Sequence, residues 1–404
     1  MESAKLVAGL TRMVRDVGMA EDLAQDALVI ALEKWPESGV PRNPGAWLMA
    51  TAKHRAIDTL RRQGALARKQ EEMARQLGID DVTESSAPKV DRSEDDLLGL
   101  IFICCHPVLS TDSRIALALR LLGGLSTSEI ARAFLVSEPT IAQRIVRAKR
   151  SLAEAAVTYE TPEGEELTTR LPSVLEVIYL IFNEGYLATA GDDLVRPAMC
   201  EEALRLGRVL AGLVPNQPEV HGLVALMEIQ ASRLRARVGP GGEPVLLHAQ
   251  NRSRWDQLLI RRGLVALQRA ERLGGTHGPY ALQAAIAACH ARARSPEETD
   301  WARITELYSL LAGAAPSPVV ELNRAVAVAM AFGTAAGLEI VDRLASEPSL
   351  TAYHLLPAVR GDLLEQLGRL DEARFEFERA ASLTSNRRER DLLLDRAAAC
   401  DRPE

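Results

Sequence analysis

One short stretch of this sequence is well supplied with side chains that can bind DNA. Between Pro139 and Ala153 the chain has no acidic residue. Guanidinium, ammonium and amide groups donate hydrogen bonds to phosphates and to base edges in a major groove. The stretch supplies such donors, and one hydroxyl from threonine, at Thr140, Gln143, Arg144, Arg147, Lys149 and Arg150. The stretch is therefore a candidate DNA-contacting helix.

Two short helices joined by a turn would position these side chains. Ser126, with Glu129 three residues later, predicts a capping box at the start of a first helix. Ser137 and Pro139 predict the start of a second helix. An apolar stripe follows at i, i+4 and i+7, at Ile141, Ile145 and Ala148. The pattern predicts a helix-turn-helix, although a purely structural helical hairpin with a solvated cationic face would have the same pattern.

A second cationic helix is predicted from Asn43 to Arg62. Asn43 can cap it, and Pro44 suits its first position. One side is apolar at four-residue intervals, at Leu48, Ala52, Ala56 and Leu60. The other faces carry Lys53, His54, Arg55, Arg61 and Arg62. Cations on these faces can hold phosphates.

An amphipathic helix of opposite charge precedes it, over residues 20–35. Its expected inward residues are Leu23, Ala27, Ile30 and Ala31. Its expected outward residues are Glu21, Asp22, Gln25 and Asp26. One helix is thus acidic outside, and the next is basic outside.

Trp47 has two interpretations. Opening a duplex requires cations for the phosphates and a flat side chain or pocket for an unstacked base, and Trp47 beside Lys53 and Arg55 supplies both. A tryptophan on an amphipathic helix can equally be a core anchor against the preceding helix. The same ambiguity holds for His54.

In this order, the acidic helix, the cationic helix and the helix-turn-helix resemble region two and region four of bacterial sigma factors of the extracytoplasmic-function group. The resemblance implies that the clamp helices of core RNA polymerase bind Asp22, Gln25 and Asp26. It implies that the residues near the opened minus-ten strand are Asn43, Trp47, Lys53, His54, Arg55 and Arg62. It implies that the minus-thirty-five element is contacted by Thr140, Gln143, Arg144 and Arg147, with Lys149 and Arg150 at phosphates.

Two features depart from the family pattern. Leu135 stands where such turns usually carry a glycine, so the turn either avoids a positive φ or stores strain there. Few residues precede the acidic helix, so the first helix of region two is short or the true start lies upstream of Met1.

The segment between the two regions is predicted to be a flexible acidic linker, over residues 65–96. From Asp80 to Asp96 it has seven acids against Lys89 and Arg92, a composition that disfavours a packed core. A solvated tether and a segment that passes near the nucleic-acid path of the polymerase are both compatible with it.

The composition predicts an all-α protein of several domains. The chain has 404 residues, is 47% hydrophobic and only 4% aromatic, and is rich in Ala and Leu, which favours helices over sheets. Its formal net charge of −7 argues against a protein that coats DNA nonspecifically. We therefore expect its DNA-binding cations to be local, on two helices.

No metal site, cofactor or catalytic group is expected. Cys104, Cys105 and His106 are adjacent, which is poor ligand spacing and favours a buried helix end over zinc. No nucleophile with a base and an orienting acid can be assembled, so we expect no enzymatic activity. The segment after Met1 lacks the apolar core of a signal peptide, and no apolar run is long enough to span a bilayer. A cytoplasmic protein with no membrane partner is expected.

The rest of the chain, residues 165–404, is predicted to be a helical solenoid that resembles tetratricopeptide repeats. The clearest unit runs from Ala352 to Leu383, with Ala358, Gly361, Leu367, Gly368, Ala373, Phe377 and Ala380 near the repeat positions. Residues 316–345 form a degenerate neighbour. The concave face of such a solenoid can hold a peptide, a protein surface or a small ligand.

The chain also resembles the sigma-factor subgroup that carries such an extension, through FNEGY at residues 182–186 and RSRWD at residues 252–256. That resemblance implies control by the extension, which would fold back on regions two and four or assist polymerase binding. The polar and aromatic residues of the two motifs are expected to be caps and packing anchors in preference to a ligand site; they are Asn183, Glu184, Tyr186, Arg254, Trp255 and Asp256.

The favoured prediction is a sigma factor with region two at residues 1–64, region four at 97–158 and a regulatory extension at 165–404. It would recruit core RNA polymerase to a promoter with minus-ten and minus-thirty-five elements. One alternative is a dimeric helix-turn-helix regulator with a TPR-like sensor, which would bind DNA tightly without polymerase. It leaves the acidic and cationic helices unexplained. A scaffold or enzyme centred on the C-terminal half is the weakest alternative, because the motifs with charged and DNA-binding side chains lie in the N-terminal half.

Overall fold

The computed structural model describes residues 2–75, 93–134, 136–155, 157, 159, 162–187, 190–191 and 194–400. The chain divides into two compact units, Met1–Val177 and Ile178–Glu404. The described elements are α-helices and short 3-10 helices, apart from two strands of two residues, β1 (Ala190–Gly191) and β2 (Ser385–Asn386), which pair in parallel. The predicted all-α fold is confirmed.

The first unit consists of helices that range from 8 to 32 residues in length. Its helices are α1 (Glu2–Val14), α2 (Val17–Ser38), α3 (Pro44–Arg75), α4 (Ser93–Cys104), α5 (Thr111–Leu121), α6 (Thr127–Phe134), α7 (Glu138–Glu154) and the part of α8 (Gly164–Tyr186) up to Val177. Helix α1 packs against α2, α3 and α4, and α5 packs against α6 and α7. The apolar face of α1 is fully buried at Leu10, so this short first helix is a central part of the core.

Two predicted boundaries differ from the structure. Helix α3 continues to Arg75, so the first residues assigned to the acidic linker are helical. Residues 76–92 of that linker lie outside the described residues, and α4 begins at Ser93. The two units divide at Val177 and not at residue 165, because the first turns of α8 bond to α4 and the residue after it: Arg170 donates to the Phe102 carbonyl oxygen at 3.2 Å and Ser173 to that of Cys105 at 2.7 Å.

The second unit is a succession of α-helices in which, after its first helix, each packs against the next. Its α-helices are the end of α8, α9 (Pro197–Leu213), α10 (Pro218–Ala231), α11 (Gln257–Arg272), α12 (Pro279–Arg292), α13 (Trp301–Ala314), α14 (Pro318–Phe332), α15 (Thr334–Leu344), α16 (Leu355–Gln366), α17 (Leu370–Leu383) and α18 (Arg387–Ala399). Its 3-10 helices are Leu234–Ala236, Leu247–Ala249, Arg252–Arg254 and Pro348–Leu350. This arrangement is the predicted helical solenoid.

Small residues allow the close helix approach that the repeat pattern predicts. A Cβ atom on Gly361 of α16 would lie 2.8 Å from the ring of Phe377 on α17. Phe377, Ala373 and Ala380 are fully buried at this contact. Gly368, with φ of 73°, makes the turn between the two helices in a conformation that other residues rarely adopt. The predicted unit therefore forms a tightly packed helical hairpin.

Candidate polymerase and nucleic-acid interface

The helix-turn-helix forms as its caps predict. The Ser126 N–H donates to Glu129 Oε2 at 2.8 Å, and the Glu129 N–H donates to Ser126 Oγ at 3.2 Å, which completes the capping box of α6. Ser137 caps α7 by accepting from the Thr140 N–H at 3.4 Å. The predicted apolar stripe of α7, at Ile141, Ile145 and Ala148, is buried. Leu152, the next residue on the same face, is buried too. Burial of this stripe leaves the cationic faces of α7 outward.

The predicted DNA-contacting residues of α7 differ in their surroundings. Gln143, Arg147 and Arg150 are exposed. Arg150 pairs along the helix with Glu154 at 2.6 Å, and the hydroxyls of Thr140 and Ser137 lie 2.7 Å apart. Among the described residues, no carboxylate lies within 4.0 Å of the Arg147 guanidinium. Arg147 is thus available to a phosphate or a base.

Arg144 and Lys149 have ion-pair partners on other helices. Arg144 Nη2 lies 2.8 Å from Asp112 Oδ2 of α5. Lys149 Nζ lies 2.6 Å from Glu21 Oε2 of α2. The second pair joins the predicted minus-thirty-five helix to the predicted polymerase-binding helix.

Glu21 was expected to face outward, and this prediction is wrong. Only 6% of Glu21 is exposed, and its Oε1 accepts from Arg120 Nε at 2.7 Å and from Gln25 Nε2 at 2.9 Å. Burial alone would raise the pKa of the Glu21 carboxyl, but the bonds to Lys149 and Arg120 outweigh burial and hold that pKa below its usual value. The periodicity of α2 could not identify this contact, because both cations lie far along the chain.

The other outward residues of α2 lie where they were expected. Asp22 and Gln25 are exposed, and about half of the Asp26 side chain is accessible to solvent. Asp26 forms an ion pair with Arg55 of α3, which is also about half exposed. Exposed pairs of this kind contribute little to stability, so a binding partner can replace either member at small cost.

Helix α3 presents most of its predicted minus-ten residues to solvent. Asn43 caps the helix, because its Oδ1 accepts from the Ala46 N–H at 3.0 Å. Lys53 and His54 are exposed. Trp47 is half-buried and meets Trp35 of α2 edge to face, with ring centroids 5.5 Å apart, which supports its interpretation as a packing anchor.

Two predicted features cannot be compared with the structure. The side chain of Arg62 and the turn residue Leu135 both lie outside the described residues.

The predicted buried helix end at Cys104 and Cys105 is confirmed. Both cysteines are buried, and burial raises the pKa of the Cys105 thiol to about 12.

Comparisons with known proteins match the two halves of the first unit to sigma-factor families. Residues 3–65 match the family described as Sigma-70 region 2, and residues 100–152 match Sigma-70, region 4. This chain belongs to the sigma-70 factors. Within them it is of the extracytoplasmic-function type with a C-terminal helical extension, as the sequence motifs predicted.

Similarity to a further family and to a relative covers most of this sigma factor. Residues 170–271 match a family of unknown function, DUF6596. An uncharacterized protein of Rhizobium meliloti (strain 1021) is 45% identical over 383 residues, which cover 94% of this chain and 89% of the relative. A crystal structure of the yeast Tom70 is 13% identical, with a TM-score of 0.32, and the match covers 95% of this chain and 81% of that one.

In the extension of this sigma factor, several motif residues are caps and anchors, as predicted. Asp256 caps α11 by accepting from the N–H groups of Leu258 at 2.9 Å and Leu259 at 3.1 Å. Trp255 is 3% exposed. Glu184 forms an ion pair with Arg196. These contacts hold the helix ends of the solenoid in place.

The FNEGY motif also borders a cavity, which its sequence did not predict. Asn183 and Tyr186 line a space of about 300 Å³, and the Tyr186 hydroxyl donates to Gln230 Oε1 at 2.9 Å.

In the part of the chain that the structure describes, no helix has both the length and the apolar character needed to cross a bilayer.

Proposed function

We propose that this sigma factor binds the clamp helices of core RNA polymerase through the acidic face of α2. The observation that supports this proposal is the exposure of Asp22, Gln25 and Asp26 on a helix whose opposite side is buried at Leu23, Ala27 and Ala31. A face of this kind, held on a packed helix, offers carboxylates and an amide in a fixed arrangement. Because its polymerase partner is cytoplasmic, we place the protein in the cytoplasm.

The same proposal assigns promoter recognition to α3 and α7. The exposed Lys53 and His54, with Asn43, Arg55 and Arg62 on the same helix, contact the minus-ten strand, and Trp47 flanks them. Helix α7 enters the major groove at the minus-thirty-five element with Gln143 and Arg147, whose side chains are exposed. The remaining contacts are made by Thr140, Arg144, Lys149 and Arg150.

Two of the cations assigned on α7 first have to leave acidic partners on other helices. Lys149 is held by Glu21 and Arg144 by Asp112. Promoter binding therefore exchanges intramolecular ion pairs for contacts to DNA, which leaves less net free energy for binding free DNA. This exchange suits a factor that contacts promoters as part of a polymerase holoenzyme.

The helical extension modulates this activity in the proposal. It acts either by restraining regions two and four or by assisting polymerase binding. The cavities inside its helical array, which have the size of ligand sites, support a separate regulatory role.

In vitro transcription with core polymerase tests the proposal. The full chain is combined with core enzyme on DNA from upstream of its own operon, and initiation is compared with core enzyme alone. Transcripts with a defined start, lost when either promoter element is scrambled, are the expected result. Tight operator binding by the free chain without any sigma-dependent transcript would instead favour the helix-turn-helix regulator.

A further inference from the structure

The second unit contains a cavity of about 420 Å³ between residues 233–250 and the helices α16 and α18. This volume lies in the range of small-molecule sites, roughly 300 to 1,000 Å³. Much of the wall is aliphatic, including Leu194, Val245, Leu247, Leu355, Val359 and Leu393. Arg233 and Arg237 also line it. The cavity therefore offers hydrocarbon walls and two cations. These features complement an amphiphile with a hydrocarbon chain and a negatively charged head group.

Arg233 is held in place by neutral groups. Only 9% of it is exposed, and it donates to Gln250 Oε1 and to Gln230 Oε1, both at 3.2 Å. Its guanidinium carbon lies 5.3 Å from the centroid of the Trp255 ring. Burial lowers the pKa of the Arg233 guanidinium, and the charge of Arg237 acts in the same direction. The fold fixes this cation firmly without neutralising it.

Arg237, like Arg233, contacts an aromatic ring and has no acidic partner in the described part of the chain. Its guanidinium carbon stacks 3.8 Å from the centroid of the Tyr186 ring, and its Nε is buried without a hydrogen-bond partner. Among the described residues, neither Arg237 nor Arg233 has a carboxylate oxygen within 4.0 Å. A buried cation without an acid is costly unless another anion compensates it.

The carboxylates in and beside the cavity wall have partners other than Arg233 and Arg237. Arg396 Nη2 lies 2.7 Å from Asp362 Oδ1 and also pairs with Glu365. His354 Nε2 lies 3.2 Å from Glu389 Oε2. Among the described residues that line the cavity, Arg233 and Arg237 are therefore the cations that no carboxylate neutralises.

We propose that this cavity binds a small carboxylic acid with a hydrocarbon chain of medium length. The carboxylate accepts hydrogen bonds from Arg233 and Arg237, whose planar guanidinium groups match its two oxygens. The hydrocarbon chain lies against the aliphatic wall and leaves water. The site goes beyond promoter recognition and does not depend on it, so its failure would leave the proposed transcription function untouched.

Decanoate is the probe, titrated into the full chain by calorimetry below its micelle concentration. The matched ligands are 1-decanol, which has the same chain without charge, and decyltrimethylammonium, which reverses the charge. Decanoate is expected to bind about tenfold or more tightly than either, because charge-assisted hydrogen bonds to arginine would be lost. Equal binding of decanol and decanoate, or no binding of decanoate, would overturn the proposal.

Variants locate the site. Arg237→Gln is expected to weaken decanoate binding about tenfold or more, whereas Arg235→Gln, exposed on the 3-10 helix Leu234–Ala236, is the matched control with unchanged affinity. Thermal melts report folding: at the same concentration, decanoate should raise the Tm of the parent and of Arg235→Gln by more than that of Arg237→Gln.

A second variant keeps the test decisive if Arg237→Gln folds poorly. Leu246 lines the cavity and is 38% exposed, so Leu246→Glu is compatible with folding. It places a negative charge on the aliphatic wall and is expected to abolish decanoate binding. Parental affinity for decanoate in both Arg237→Gln and Leu246→Glu would place the ligand elsewhere.

Discussion

At the residue scale, the buried carboxylate of Glu21 is the least expected feature of region two. Replacing it by Gln removes the ion pairs with Arg120 and Lys149 but keeps a similar volume. We expect Glu21→Gln to lower the free energy of unfolding by about 2 kcal/mol at neutral pH. Chemical denaturation of the full chain measures it, and Asp22→Asn, exposed on the same helix, is the control.

The pH dependence of this effect has a definite sign. The pKa of Glu21 is lowered in the folded chain, so its stabilisation is present above the ordinary glutamate pKa of roughly 4.3 and is lost as the pH falls through the folded value. The stability difference between parent and Glu21→Gln should therefore shrink in acid. A constant difference from neutral pH down to pH about 3 would contradict the ion-pair explanation.

Arg147 carries the clearest prediction for promoter specificity. Arg147→Ala is expected to weaken use of the minus-thirty-five element by about 1 to 3 kcal/mol if the contact is to a base. Arg150→Ala, one turn further along, should weaken binding to all sequences alike, because we assign it to phosphate. Transcription from templates with single substitutions in the element separates the two. An unchanged sequence preference in Arg147→Ala would remove Arg147 from base recognition.

At the element scale, α2 and α3 are linked by the Asp26–Arg55 pair, and this allows a charge-swap test. Asp26→Arg is expected to abolish capture of core polymerase while leaving the fold intact, since the residue is about half exposed. The double variant Asp26→Arg with Arg55→Asp restores the ion pair but not the acidic face. We therefore expect it to remain defective in a pull-down. Recovery of polymerase binding would show that the pair acts only through helix packing.

The elements themselves followed from short-range sequence signals. The caps at Asn43, Ser126 and Ser137 and the stripe of α7 are local patterns, and all of them form. The end of α3 was placed too early, because the charged residues up to Arg75 can be helical as well as linker-like.

At the scale of the whole molecule, the boundary at Val177 predicts which shortened chain is stable. A chain ending at Val177 keeps the bonds of Arg170 and Ser173 to the carbonyl oxygens at the end of α4, whereas one ending at Tyr159 loses them. We expect the longer form to melt at a temperature several degrees higher. Circular dichroism melts of the two forms measure this, and equal melting temperatures would contradict a role for α8 in region four.

The chain ending at Val177 also allows a test of whether the extension activates or inhibits transcription. Transcription by the chain ending at Val177 is measured against the full chain with core polymerase. Higher activity of the short form would indicate that the extension restrains the factor, and lower activity would indicate that it assists polymerase binding.

The sequence by itself determined the helices, their caps and the family of this protein, because hydrophobic period, capping and motif order are encoded within a few turns of helix. It also identified which faces of α3 and α7 carry the cations. Only the tertiary structure decided that Glu21 is buried against Arg120 and Lys149, and that Arg233 and Arg237 line one cavity. Both arrangements join residues from separate helices or loops, and a charge is compensated by whatever packing brings near it.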